Sequence, residues 1–211
     1  AQLNMSLLGT LPYSGKGRAS DIWGYVDENG NEYALVGMET GVSIVDVTNP
    51  ATPNEVFWTP GAQTIWRDLK TFNDKAYITN EAANGIMIID LAPLPGSTAL
   101  SVTTYTGSTY PFQSAHNLYI DENGYCYVFG ANNANGIGGA IILDLNVPTT
   151  DPNFEVGQYN DYYLHDGMVR GDTLWGGAVY DGFFTVVDVS DKANPITIAT
   201  KTTPSNFTHN T

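Results

Sequence analysis

Five two-residue pairs recur along the chain: Ser20-Asp21, Arg67-Asp68, His116-Asn117, His165-Asp166 and His209-Asn210. Their acidic or amide members lie 47, 49, 49 and 44 residues apart. A second series, Asp46, Asp90, Asp144 and Asp188, ends four apolar runs at intervals of 44, 54 and 44 residues. The long interval is accounted for by an Asn- and Gly-rich insertion from Asn132 to Gly138. A period in the forties built from short apolar runs leaves few solutions. Each unit is too small to bury its own faces and must stack on its neighbours. Four-stranded blades of a β-propeller meet that requirement.

Each period reads as four strands. In the first, Asp21 to Val26, Glu32 to Met38, Gly41 to Val47 and Glu55 to Trp58 are separated by turn residues. Asp27-Glu28-Asn29-Gly30, repeated at 121–124, is a hairpin signal, because Asn-Gly accepts the positive φ angles of tight turns. Asn73-Asp74 and Gly171-Asp172 mark turns at matching places. The blades fall at about residues 20–63, 67–108, 116–160 and 165–203. Residues 4–12 match the outer strand of a blade, and 208–211 match the start of one. One terminus of a propeller commonly completes the blade begun by the other, so the chain reads as the N-terminal part of a larger ring that continues beyond Thr211. The alternative is a closed four-bladed ring with a spare strand at each end.

Composition agrees with an all-β domain and excludes some functions. Twenty-two Gly and 11 Pro suit many turns, and 42% hydrophobic residues suit a packed core. A formal charge of −14 argues against nucleic acid, which needs a basic face, and against an anionic membrane surface. It suits a solvated surface or attraction for divalent cations. No run is long enough for a membrane-spanning helix. The lone Cys126, in an apolar run, excludes an internal disulfide framework and reads as a buried strand residue. The first residue is Ala, as a mature terminus left by signal-peptide removal would be.

The run Gly41-Val42-Ser43-Ile44-Val45-Asp46-Val47-Thr48-Asn49-Pro50 resembles the LVIVD repeat, an apolar strand ending in Asp before an Asn-Pro turn. With Ser20-Asp21-Ile22-Trp23-Gly24-Tyr25 and the His-Asn and His-Asp-Gly pairs, it is similar to the choice-of-anchor B family. That resemblance implies a secreted bacterial β-propeller at the cell surface, of larger size, with no defined reaction.

Chemistry is expected at the repeat pairs. The first strand of a propeller blade lines the central channel, so its start lies at one mouth. His116, His165 and His209 share one repeat position and are expected to gather there with Asp21, Arg67, Asp68 and Asp166. Three imidazoles and a carboxylate would suit one divalent transition metal (Zn, Fe, Cu or Mn), with Ca less suited. Strand alternation predicts that only one member of each pair faces the channel. The structural reading is that the acidic and amide members cap local turns. Arg67 is expected to pair with Asp21 or Asp68, or to hold an anionic ligand. Trp23, Trp66, Trp175 and Tyr180 read as packing between blades, or else as a sugar-stacking platform. The Asp46, Asp90, Asp144 and Asp188 series is assigned to tying down the turns that follow.

Two functions follow. One is a secreted or cell-surface module that binds a protein or glycan partner without catalysis. The other is a metal-dependent enzyme with its ion held by His116, His165 and His209. No nucleophile elbow, phosphate loop or zinc-protease motif is present, so the first is preferred and no catalytic residue is assigned.

Overall fold

The computed structural model describes residues 4–133 and 136–211. Among the described residues, sixteen strands form four antiparallel sheets of four, each in sequence order. The first holds β1 (Ala19–Val26), β2 (Glu32–Met38), β3 (Gly41–Asp46) and β4 (Asn54–Pro60). The second holds β5 (Leu69–Phe72), β6 (Lys75–Ile78), β7 (Ile86–Asp90) and β8 (Val102–Tyr105). The third holds β9 (Asn117–Ile120), β10 (Tyr125–Phe129), β11 (Ala140–Asp144) and β12 (Glu155–Tyr159). The fourth holds β13 (Asp166–Arg170), β14 (Thr173–Ala178), β15 (Phe183–Asp188) and β16 (Ile196–Thr202). The first strands meet in order, β1 against β5, β5 against β9 and β9 against β13, so the sheets stand like blades about a common axis. Among the described residues the only helical element is a 3₁₀ turn at Pro204–Asn206, and no helix is long and apolar enough to cross a membrane.

The middle strands of the second and third sheets are apolar on both faces because each of those sheets is sandwiched between two others. In β10, Cys126 and Val128 pack towards the second sheet, against Tyr77, Ile86 and Ile88. Tyr127 and Phe129 point the opposite way, towards Val169, Leu174 and Val187 of the fourth. Between the first two sheets, Leu35, Val42 and Ile44 meet Leu69, Ile78 and Ile89. Burial pushes the Cys126 thiol pKa up, which keeps it unreactive.

Turns carry the chemistry expected of them. Asp46, Asp90, Asp144 and Asp188 each accept the N–H two residues on, from Thr48, Ala92, Asn146 and Ser190, at 2.9–3.2 Å. In the two Asp-Glu-Asn-Gly turns only the glycine is left-handed, with φ of 82° at Gly30 and Gly124. Each leading aspartate, Asp27 or Asp121, accepts two backbone N–H groups of its turn. Asn73 and Asp74, with φ of 45° and 54°, form the hairpin turn that does take two positive angles.

The expected terminal strands are absent. Residues 5–10 form no strand: Gly9 lies against the Pro50–Pro53 connector, where an added Cβ would sit 2.3 Å from the Pro50 carbonyl. A strand needs a free sheet edge alongside it, and this segment instead covers a face. Leu11 and Tyr13 pack over Val36, Met38 and Val45 on the side of the first sheet turned away from the second. Residues 208–211 also form no strand. Of the insertion read at Asn132 to Gly138, residues 134 and 135 lie outside the described residues, as do residues 1–3 of the N-terminal reading.

Leu69 is fully buried at the seam of the first two sheets, so Leu69→Ala should lower unfolding free energy by about 2–5 kcal/mol. Glu28→Ala, on an exposed turn, should change it by less than about 0.5 kcal/mol. Urea denaturation of the two variants against the parent checks both.

Candidate functional site at the channel mouth

The starts of the first strands converge on one cavity of about 390 Å³. All seven residues expected at the mouth line it: Asp21, Arg67, Asp68, His116, His165, Asp166 and His209. Both members of each of the first four pairs face it, contrary to the alternation expected of a strand. Arg67, His116 and His165 precede β5, β9 and β13 and lie outside the pleat, and the pairing of β1 slips between Ala19 and Ile22. Alternation applies only where the ladder is regular.

The acidic and amide members join blades and do not cap local turns. Asp21 accepts the Leu69 N–H of the second sheet at 3.2 Å. Asp68 accepts the Leu118 N–H of the third at 2.9 Å. Asn117 of the third donates to Asp166 of the fourth at 3.5 Å, and Asn210 donates to the same oxygen at 2.9 Å. Thr79, fully buried, receives the Asp68 N–H and donates to the His116 carbonyl, linking the second and third pairs.

The three imidazoles lie ring beside ring. Centroids are 3.8 Å apart between His116 and His165 and 4.1 Å between His165 and His209. Gly130 permits this approach, since a Cβ there would meet the His116 Cβ at 2.8 Å. His116 Nδ1 contacts Glu81 Oε1 at 2.5 Å, and His165 Nδ1 lies 3.0 Å from the His209 carbonyl. Among the described residues no group of three or more His, Cys, Asp or Glu is placed to hold a metal ion. His116, His165 and His209, expected as metal ligands, do gather in the cavity, with the Nδ1 atoms of His116 and His165 already engaged. Adjacent rings are tilted by 51° and 48°.

Charge is distributed unevenly. Arg67 is 4% exposed and forms no ion pair among the described residues; Nε donates to the Met38 carbonyl at 2.8 Å and Nη2 to the Ala62 carbonyl. The expected pairing with Asp21 or Asp68 is not made, because the backbone carbonyls take those donors. Asp68 is paired instead with Lys70 at 2.7 Å. Desolvation and the nearby Asp21 carboxyl nevertheless push the Asp68 pKa up to about 7, against the opposing pull of Lys70. His165, desolvated between two other imidazoles, is pushed down to about 4 and is neutral at pH 7. Burial also raises the Asp166 pKa.

Aromatic side chains form the rim. Trp66 and Tyr180 are 52% and 80% exposed, so neither packs between blades. Tyr163 stacks on Tyr180 with centroids 4.7 Å apart. Trp23 is instead fixed across the seam, its indole N–H donating to Thr71 and its ring under Lys70. Glu81 and Tyr163 were not expected at the site. Both come from connecting segments outside the repeat pairs, and only the adjacency of Tyr163 to His165 hinted at it.

The chain carries a known repeat. The LVIVD repeat family model matches residues 16–59 and 178–203, the first sheet and the last two strands of the fourth. With four antiparallel four-stranded sheets, the fold is an all-β propeller-like repeat. The chain is similar to the solved structure of apo AztD from Citrobacter koseri, at 15% identity and a TM-score of 0.49, over 86% of this chain and 47% of that one. It thus spans about half the length of that protein. A chain of a nidogen/laminin complex is similar at 10% identity and a TM-score of 0.36, over 84% of this chain and 78% of that one. No curated protein matches the sequence.

The two displaced side chains predict opposite pH dependences. The folded pKa of His165 lies below its unfolded value of about 6.5, so its contribution is present above pH 6.5 and lost as pH falls towards 4. The folded pKa of Asp68 lies above its unfolded value, so its contribution is present at low pH and lost as pH rises through about 7. Urea midpoints from pH 4 to 8.5 should show His165→Asn removing a rise in stability between about pH 4 and 6.5, and Asp68→Asn removing a fall in stability between about pH 4 and 7.

Proposed function

We propose that this chain is a binding module of a secreted or cell-surface protein of the choice-of-anchor B type, and that it takes a glycan at the channel mouth. The observation that carries the reading is the pairing of a polar floor with an exposed aromatic rim in one cavity. Sugars present both hydroxyl edges and apolar C–H faces. Asp21, Asn117, Asp166 and the imidazoles offer acceptors and donors for the former, and Trp66 and Tyr180 offer flat surfaces for the latter. Exposing a Trp and a Tyr to water at one cleft is unfavourable for folding alone, which supports a role in recognition. The LVIVD match supports the scaffold, and the family resemblance supports the surface location.

The reading is non-catalytic. The carboxylates of the mouth are tied to neighbouring strands or to Lys70 and His116, which suits fixed hydrogen bonding more than proton transfer at a reacting centre.

Screening the purified chain against an array of bacterial and algal oligosaccharides should give a set of binders whose signal falls at least about tenfold in Trp66→Ala and in Tyr180→Ala, the magnitude expected of losing an aromatic contact. Both positions are exposed, so melting temperatures should stay close to the parent. Binding that survives both substitutions would remove the mouth as the glycan site.

A further inference from the structure

We infer that the sugar taken at the mouth carries a protonated amine, so that the site recognises an amino sugar with a free ammonium group. This inference rests on the glycan reading above and adds its charge. Four carboxylates line the cavity: Asp21, Asp68, Glu81 and Asp166. Two are answered from within. Asp68 pairs with Lys70 at 2.7 Å, and Glu81 meets His116 Nδ1 at 2.5 Å. The other two have no Lys, Arg or His within ion-pair distance among the described residues. Asp21 accepts the Leu69 N–H and shares a hydrogen bond with the Asp68 carboxyl, and Asp166 accepts the amides of Asn117 and Asn210, both on the same oxygen, and a backbone contact from Gly167. None of these close partners of Asp166 is a cation, and burial raises its pKa against the opposing pull of the Gly167 backbone contact and the more distant Lys70.

Arg67, the one arginine of the lining, does not answer these carboxylates at close range, since Nε and Nη2 are spent on the Met38 and Ala62 carbonyls. His165 is neutral at pH 7 and adds no charge. The walls suit a cation independently of the carboxylates. Trp66, Tyr163 and Tyr180 turn three aromatic rings to the same cavity, and an ammonium group is attracted to a ring face while a carboxylate or sulfate is not. The chain's formal charge of −14 raises the local concentration of cationic ligands and lowers that of anionic ones. The sugar ring stacks on the rim while its ammonium group enters the space between Asp21 and Asp166.

Titration calorimetry of the whole chain at pH 6.5 with three tetrasaccharides of equal length tests this. The probes are a β-1,4-linked glucosamine tetramer, its fully N-acetylated counterpart and a uronic acid tetramer. The free-amine probe should bind at least about tenfold more tightly than the acetylated one, and its affinity should fall with added salt. Trp66→Ala, Asp21→Asn and Asp166→Asn should each weaken the free-amine probe by about tenfold or more while leaving the acetylated probe much less affected by the two carboxylate changes. Equal binding of the amine and acetylated probes would overturn the charge assignment and leave the glycan reading standing. Tighter binding of the uronate would overturn it in favour of Arg67. Amine binding indifferent to all three substitutions would place it on the general acidic surface and overturn it too. Failure of every sugar, here and on the array, would sink both readings. Asp21 and Asp166 also join blades, so circular dichroism melts accompany both variants; if either does not fold, Trp66→Ala and the comparison of probes on the parent protein decide.

Discussion

A hydrogen bond from one blade's first strand to the next holds the arrangement together at its axis. Asp21 reaches Leu69, Asp68 reaches Leu118, and Asn117 and Asn210 both reach Asp166. Apolar packing between sheets is strong but non-directional; it would tolerate many relative tilts. A carboxylate that must meet one backbone N–H fixes how far each blade leans and rotates. Because these groups occupy one repeat position, fixing the blades also brings the preceding residues, Arg67, His116 and His165, to a common mouth. Scaffold and site are consequently built by neighbouring residues of the same five pairs.

Much of the fold was legible because the spacing of the repeats reports a physical period. Apolar runs such as Ile86 to Ile89 and Ala140 to Leu143 have no polar alternation, as strands covered on both faces should not. Aspartates ending those runs marked the strand ends to within a residue, since each bonds the N–H two positions on. The terminal segments misled. Residues 5–10 have a strand-like composition, but strand formation depends on an edge to pair with, which is a property of the assembled sheets. Leu11 and Tyr13 found an open apolar face instead.

The site was legible in membership more than in geometry. Repeat position alone gathered seven of the lining residues, including all three histidines. It could not give the direction of each imidazole ring, which is set here by Glu81 and by the His209 carbonyl. Nor could it find Glu81 or Tyr163, which lie on connectors that differ from blade to blade. Exposure of Trp66 and Tyr180 was also invisible: an aromatic beside a turn packs or projects according to loop shape. The lost alternation at the pair positions has two causes: Arg67, Asp68, His116 and His165 sit just before the ladder begins, and the pairing of β1 slips at Ser20-Asp21.

The outermost strands carry one further regularity. Pairing slips by one residue between Ile44 and Val45, between Ile142 and Leu143, and between Val186 and Val187, so the first, third and fourth sheets each have an extra residue in the last strand, at Val56, Val156 and Ile198. A bulge bends the strand and breaks the even row of N–H and C=O groups along its outer side. The rim therefore presents no long uninterrupted template on which another polypeptide could add a strand, and in the second sheet the last strand is only four residues long. A circle of blades has as many outward edges as blades, and interrupting or shortening each one keeps such a shape from growing sideways into fibres.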